Sequence, residues 1–414
     1  MTITNKTCKQ RDLLITDFDY ALTEEKIAFA PLENRDASKL LVCNKGQIKS
    51  SIFKNIAQDL PAHSLLLFND TKVVQARIVF QKLNNGARIE VFCLEPHSPA
   101  DIASAFAQHE SCVIKCFVGN NKRWKDEILS FSFQYQGLLT HFYAERLCAI
   151  EDAWLVRFSW NNPDLSFAEI LEQVGKVPLP PYIHREVNEK DKDRYQTVFA
   201  LYNGSVAAPT AALHFTPQLM RDLEAQGVKE AYLTLHVGAG TFKPVKTELI
   251  GNHSMHAEYI LIPKETIKLI LASLDNPIIP VGTTSMRSIE SLYWFGVQCL
   301  QGMQFENIYE LGQWDAYETY GDLAISARKA LTALLEDMES KGLDRVEGKT
   351  SLMIAPGYQF RIATGIITNF HQPKSTLLLL IAALIGDKWK EAYMYALNNE
   401  YRFLSYGDSC LFIP

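Results

Sequence analysis

The period of the hydrophobic pattern changes along this chain, and the changes divide it. Between about Val73 and Trp160 the sequence falls into short runs: ARIVF, ARIEVFCLE, CVIKCFV, ILSFSFQY, LLTHFYAERL and AWLVRFSW. In the last run Val156, Phe158 and Trp160 alternate with Arg157 and Ser159, the mark of a half-buried strand. Asn84-Asn85-Gly86 separates two of the runs and predicts a hairpin, because Asn and Gly tolerate positive φ. One helix-like piece, DIASAFAQHE, interrupts. The stretch reads as a small all-β module, a barrel or a sandwich.

Either side of it the pattern is α/β. LTEEKIAFA predicts a short helix with a Thr cap and an acidic first turn. SFAEILEQVG predicts another, followed by a Pro-rich corner, KVPLPPYIHRE. Strands and helices then alternate through TPQLMRDLEAQG, AYLTLHVG, PKETIKLILASLD, PIIPVG, SMRSIESLYWFG, GIITNF, STLLLLIAALIG and WKEAYMYALNNEYRF. Such alternation predicts a largely parallel sheet flanked by helices. The expected fold class is α/β: a main domain built from both ends of the chain (1–71 plus 163–414), with a barrel-like β domain (72–162) inserted.

Composition narrows the function. With 414 residues, 47% hydrophobic and 21% charged, the chain is neither disordered nor fibrous, and its length favours two domains. Its 41 Lys+Arg against 47 Asp+Glu give a net charge of −6, so a nucleic-acid contact has to come from a local patch. The eight cysteines form no C-x-x-C pair, which suits reduced thiols better than a disulfide framework or a zinc site. MTITNKTCKQRD lacks the apolar core of a secretory signal, and the run Leu377 to Gly386 is about half a bilayer span. A cytoplasmic enzyme is expected, without membrane contact.

Three places share one design, a strand running into a small-residue loop that opens a helix. In IIPVGTTSMRSIESL, Gly282, Thr283, Thr284 and Ser285 could turn the chain and offer N–H groups to an anion; an ordinary capped helix is the plainer reading. GIITNFHQPKSTLLLL carries Asn369, His371, Lys374 and Ser375 in its loop without the glycine spacing of a phosphate loop. Loops at the carboxyl ends of parallel strands are where such sheets bind ligands. AYLTLHVGAGTFKPV places His236, Gly238 and Gly240 at a strand end, where a tight turn competes with close approach to a ligand. GSVAAPTAALHF ends near His214, whose ordinary reading is a hydrogen-bonded core histidine. His256 and Glu258 in NHSMHAEYI find no third metal partner among the cysteines, which favours hydrogen-bonding or acid/base work; no metal is expected. Glu33, Arg35, Asp36 and Lys39 read as a solvated charge run.

Taken together and in order, these motifs resemble the S-adenosylmethionine:tRNA ribosyltransferase-isomerase family of queuosine biosynthesis. The matching stretches include DFDYALTEEKIAFAPLENRDASKLL, LLLFNDTKVVQARI, KVPLPPYI, DRYQTVFALYNGSVAAPTAALHFT and LHVGAGTFKPV. HSMHAEY, VGTTSMRSIES, PGYQF, IITNFHQPKSTLL and YRFLSYGDSCL complete them. The resemblance is weakest in the β module. The chain is longer than is usual in the family; Lys39 and Lys243 stand where arginine is expected, Ala212 where glycine is, and Gln372 where leucine is.

The resemblance implies transfer and isomerisation of the ribosyl moiety of S-adenosylmethionine onto 7-aminomethyl-7-deazaguanine at the tRNA wobble position. The product is epoxyqueuosine, with adenine and methionine released. No resident cofactor is implied, since S-adenosylmethionine is consumed. A sulfonium acidifies the adjacent C5′–H, so a base near neutral pKa could remove that proton. His214, His236 and His371 are candidates for that base or for an acid on adenine, with His256 and Glu258 as second choice. Gly238, Gly240, Thr241, Gly282, Thr283, Thr284, Ser285 and Arg287 would hold the substrate, the GTTS loop taking the methionine end or ribose hydroxyls. Lys374 and Ser375 would meet a phosphate or carboxylate, with Asn369 orienting the substrate. Arg194, Tyr195, Arg402 and Tyr406 would line the pocket or meet the anticodon loop, the tyrosines stacking on a displaced base. The tRNA patch is sought at Arg185, Lys190, Lys192 and Arg194, or at Lys122, Arg123 and Lys125. A monomer is expected. A non-catalytic tRNA-binding paralogue and an enzyme acting on a small deazaguanine nucleoside are the alternative readings.

Overall fold

A computed structural model of the chain describes residues 8–82, 86–151, 153–238, 245–306, 308–321 and 323–414. Strands β1 (Lys39–Asn44) and β2 (Gln47–Ile52) form an antiparallel hairpin. β3 (Leu65–Asn69) is buried along its whole length, as its unbroken apolar run requires of a strand covered on both faces. β4 (Thr71–Val73) leads into the β module, where β5 (Arg77–Gln81), β6 (Arg88–Ser98), β7 (Ser111–Gly119), β8 (Leu129–Tyr135), β9 (Leu138–Ile150) and β10 (Ala153–Trp160) follow. They make one antiparallel sheet in the order β5-β6-β7-β10-β9-β8.

That sheet curls until its edges nearly meet. Phe80 of β5 packs on Phe131 of β8 with ring centroids 5.3 Å apart. Inside, Phe142 stacks on Phe80 at 6.0 Å and on Phe158 at 5.5 Å, and Phe158 stacks on Phe167 at 5.5 Å. Each such ring, fully buried, is worth about 1.5–3 kcal/mol relative to exposure. Phe167 starts the helix Phe167–Val174, which closes over this core and begins with a Ser166/Glu169 capping box. Asn84 and Asn85 of the expected hairpin lie outside the described residues.

The rest of the chain adds β11 (Tyr202–Ser205), β12 (Lys229–His236), β13 (Glu258–Pro263), β14 (Ile278–Pro280), β15 (Ile308–Leu311), β16 (Arg345–Thr350), β17 (Ile366–Asn369) and β18 (Ser409–Ile413). β11 pairs in parallel with β4. One six-stranded sheet runs β14-β3-β12-β13-β16-β15; a four-stranded sheet runs β17-β18-β1-β2. The second sheet sets the last strand parallel to the first, Leu40 opposite Ser409, so both ends of the chain build the main body.

Two expectations need correction. The sheet is mixed rather than largely parallel: β14-β3-β12 and β16-β15 are parallel, while β12-β13 and β13-β16 are antiparallel. A parallel neighbour needs a crossover, and the helix Ala327–Ser340 lies in the one between β15 and β16. The described part of the β12–β13 connection has only the 3-10 turn Ile250–Asn252. LTEEKIAFA forms one 3-10 turn, Glu24–Lys26, instead of a helix, and Thr23 makes no cap bond. Its backbone is engaged elsewhere: Phe403 N–H donates to the Lys26 carbonyl at 2.8 Å and Ala28 N–H to the Phe403 carbonyl at 3.1 Å.

The remaining predicted helices form, and the structure adds others that the hydrophobic pattern did not place, among them Glu189–Arg194 and Ala327–Ser340. Thr216 caps Pro217–Ala225 by accepting from Leu219 N–H at 3.2 Å, with Pro217 in the first turn. Among the described residues no helix is long and apolar enough to cross a membrane.

Candidate active site

β14 and β17 belong to different sheets, yet they meet at their carboxyl ends. Val281 bridges Ile367 in parallel, and Gly282 N–H donates to the Ile367 carbonyl at 2.8 Å. β14 leads through Val281 and Gly282 into the helix Thr283–Leu300, and β17 leads through the loop 370–375 into the helix Thr376–Ile385; both helix N-termini open on one cleft. Gly282 makes the first turn with φ +94°, a conformation that L side chains rarely adopt. Ala208–Ala211 and Val237 form a further wall, and Tyr182, Leu404 and Ser405 complete it. The cleft spans about 730 Å³ counted to its open mouth.

Asn369 lines this cleft. Its amide nitrogen donates to the carbonyls of Leu404 at 3.3 Å and Asp408 at 3.5 Å and approaches His214 Nε2 at 3.2 Å. Those acceptors fix the direction of the amide, and leave Asn369 Oδ1 buried without a hydrogen-bond partner. His214 has both ring nitrogens engaged, the second with Ser38 Oγ at 2.9 Å, and its ring packs 5.0 Å from Phe53. It does not line the cleft; it positions Asn369 from behind.

His371 does line the cleft. Its Nε2 lies 3.0 Å from Thr368 Oγ1, and Nδ1 has no partner among the described residues. Its backbone is held on both sides, the N–H by Tyr393 Oη at 3.1 Å and the carbonyl by Tyr20 Oη. His236 ends β12 beside Thr71 Oγ1 at 2.9 Å. Gly204 presses on it so closely that a Cβ there would fall 2.7 Å from the imidazole.

Burial pushes all three imidazoles down, His214 and His236 to about 4 and His371 to about 3, so each is neutral at physiological pH. This sets a pH dependence. The unfolded chain takes up protons below pH 6.5, whereas the folded sites refuse them until about 4 or 3. Stability is therefore full above 6.5 and lost as pH falls through that window, by about 1.4 kcal/mol per pH unit per histidine. Denaturant melts between pH 7.5 and 4.5 should show this slope, and His214→Gln should flatten it; an unchanged slope in that variant would remove His214 from the account.

The other candidates are scattered. Ser375 lines the cleft and caps the second helix by accepting from Leu378 N–H at 3.2 Å. Lys374 points elsewhere, paired with Asp19 at 2.8 Å. Glu258 is buried against Arg287, whose Nη2 lies 2.6 Å from Glu258 Oε2, while His256 is exposed. Thr283 and Thr284 line the cleft; Ser285 turns back to the Val281 carbonyl. Arg194 donates to the carbonyls of Leu32 and Glu33, Tyr195 is fully buried, and Tyr406 donates to Asp191 at 3.0 Å. Arg402 sits by Asp408 at 3.6 Å. None of these four lines the cleft. Gly238 is described; Gly240, Thr241 and Lys243 lie outside the described residues. Ala212 packs into the core, and Gln372 lines the cleft. Lys39 spans the carbonyls of Asn399 and Glu400. Among the described residues no group of three His, Cys, Asp or Glu side chains is placed to hold a metal.

Two cleft residues, and one buried carboxyl outside the cleft, carried no individual signal in the sequence. Tyr182 and Ser405, hydrogen-bonded to each other, line the cleft from segments 223 residues apart. Asp70, buried beside β12, accepts from Thr234 Oγ1 at 2.7 Å; burial raises it to about 6 against that bond.

The stretches that build this cleft are those that carry the family resemblance. The family model described as "Queuosine biosynthesis protein" matches residues 15–412. An S-adenosylmethionine:tRNA ribosyltransferase-isomerase of Sulfurihydrogenibium sp. is 38% identical over 96% of this chain and 99% of its own length. The enzyme of the same name from Halothermothrix orenii is 35% identical with the same coverage. A solved S-adenosylmethionine tRNA ribosyltransferase from Thermotoga maritima, 25% identical, covers 95% of this chain and 99% of its own, with a TM-score of 0.45. With nearly its whole length matched, and several of its matching segments meeting at one cleft, the chain belongs to the queuosine biosynthesis protein family.

Proposed function

We propose that this cleft binds S-adenosylmethionine and the wobble nucleotide of a tRNA carrying 7-aminomethyl-7-deazaguanine. The reaction transfers and isomerises the ribosyl moiety onto the aminomethyl nitrogen, giving epoxyqueuosine with adenine and methionine released. S-adenosylmethionine is a consumed co-substrate, and the protein supplies binding, orientation and proton transfer.

The observation that carries the reading is the buried, partnerless Asn369 Oδ1 beside a neutral His371 and a helix N-terminus without a side-chain cap. A ligand amine or hydroxyl would satisfy the orphaned oxygen, as the adenine amine or a ribose hydroxyl can. With Nε2–H turned toward Thr368 Oγ1, His371 Nδ1 presents an unprotonated lone pair to the cleft for the acidified C5′ proton, although burial makes it a weaker base than the near-neutral group the chemistry favours. Because His371 is uncharged, it also leaves the sulfonium unopposed by a neighbouring cation.

A tRNA contact needs cations free of protein partners. The set around residue 190 is largely engaged: Arg185 is held by Asp191 at 2.7 Å, Lys192 by Glu189 at 3.5 Å, and Arg194 by backbone carbonyls. Lys122, Arg123 and Lys125 on the β module are exposed and have no acidic partner among the described residues, which favours that surface for phosphates.

The test is adenine release from S-adenosylmethionine, with and without tRNA bearing the 7-aminomethyl base. Release that depends on this tRNA, together with a mass gain on its wobble nucleoside, is expected. Binding of both substrates with no release would mean a non-catalytic paralogue. Turnover of the free nucleoside in place of the tRNA would move the substrate to a small molecule.

A further inference from the structure

Beside the main cleft lies a narrow apolar recess, a side chamber of about 250 Å³ when the open space at its mouth is included, reached past Thr283 and Leu377, which line both. Its walls are apolar: Met255, Leu352, Met353, Ile354 and Leu380. One charged group lines it, Arg287, whose side chain is 7% exposed. Thr283 and Arg287 are four apart on one helix, so they share a face and stack one turn above the other.

Arg287 is not satisfied by the protein. Its Nε is buried with no hydrogen-bond partner, and its charge contact with Glu258, 2.6 Å from Nη2 to Oε2, leaves that Oε2 also without an aligned hydrogen bond. A buried guanidinium with an unmet donor, facing a cavity, is costly unless something completes it. Two further features of the site are positive. The helix Thr283–Leu300 begins without a side-chain cap, and Thr376 of the second helix N-terminus also lines the chamber.

We propose that this chamber, with Arg287 as its anchor, takes the α-amino carboxylate end of the methionyl chain of the co-substrate. The carboxylate meets Arg287 Nε and the free N–H groups of the Thr283 helix terminus. The zwitterion brings its own ammonium, so it adds no net charge beside the buried Arg287–Glu258 pair. The apolar wall covers the methylenes next to sulfur. This subsite rests on the reading that S-adenosylmethionine is the co-substrate; it adds which end goes where, and places the ribosyl carbons in the outer cleft beside His371 and Asn369.

The experiment compares S-adenosylmethionine with its decarboxylated analogue, which keeps the sulfonium, ribose and adenine. Equilibrium binding and adenine release on substrate tRNA are both measured, for the wild type and for Arg287→Gln. The wild type should lose about 10- to 100-fold in affinity for the decarboxylated compound, the worth of a charged hydrogen-bonded contact. Arg287→Gln should lose a similar factor for S-adenosylmethionine and almost nothing further for the analogue. Equal wild-type affinity for the two compounds overturns the proposal without any variant. So does an Arg287→Gln protein that weakens both alike. Discrimination in binding without adenine release on tRNA would leave the subsite standing and count against the proposed reaction instead.

Discussion

A His371→Gln variant should release adenine about 100- to 10,000-fold more slowly than the wild type, while S-adenosylmethionine binds within a few-fold of its normal affinity. The expectation follows from how the residue is held. The loop is fixed through backbone atoms, His371 N–H on Tyr393 Oη and its carbonyl on Tyr20 Oη, contacts that any side chain at 371 preserves. The substitution therefore removes the imidazole and little else. His371 is the one candidate histidine that lines the cleft, whereas His214 is engaged on both nitrogens. An unchanged rate would exclude His371 as the base and turn attention to His236, at the end of β12 next to Val237 of the cleft wall. Melts at neutral pH should match the wild type, since the imidazole is neutral there.

The largest stability effect is expected at Glu290→Ala, a loss of about 3–5 kcal/mol. Glu290 lies mid-helix and has no exposed surface. Its carboxylate accepts four hydrogen bonds, from Tyr358 Oη and from the N–H groups of Arg361, Ile362 and Ala363, all at 2.9 Å. Alanine would strand those buried donors at once. Glutamine is expected to be costly as well, because its amide N–H₂ would face N–H donors. The damage should reach the cleft, since 361–363 lead into β17 and so set Asn369. Equilibrium unfolding in denaturant measures the first effect, and substrate binding by the folded fraction measures the second. A Glu290→Ala protein as stable as the wild type would mean that the loop rearranges to satisfy its donors elsewhere.

The sequence by itself determined the local elements wherever neighbouring residues decide them. Period-two runs gave the strands of the β module, 3.6-residue runs gave the helices, and Ser166, Thr216 and Ser375 marked their starts. The order of the motifs was enough for the family. It also marked the strand–loop–helix junctions after β14 and β17, because their small residues stand where a backbone has to turn at a strand end; the third expected junction, after β12, leads in its described part to the 3-10 turn Ile250–Asn252 and β13 instead. Tertiary structure decided what those junctions face. Which strands run parallel depends on the length and path of connections, so the antiparallel β12-β13 pair was not written in either strand. Whether LTEEKIAFA becomes a helix depended on Phe403, some 375 residues away, claiming its backbone. Whether a histidine is a base or a strut was equally undecided. His214 and His371 both stand beside apolar residues in the sequence, and only the fold sets one behind Asn369 and the other in the cleft. Long-range burial made that distinction, and it also raised Glu290 and Arg287 from ordinary helix residues to the charges on which the loop and the side chamber depend.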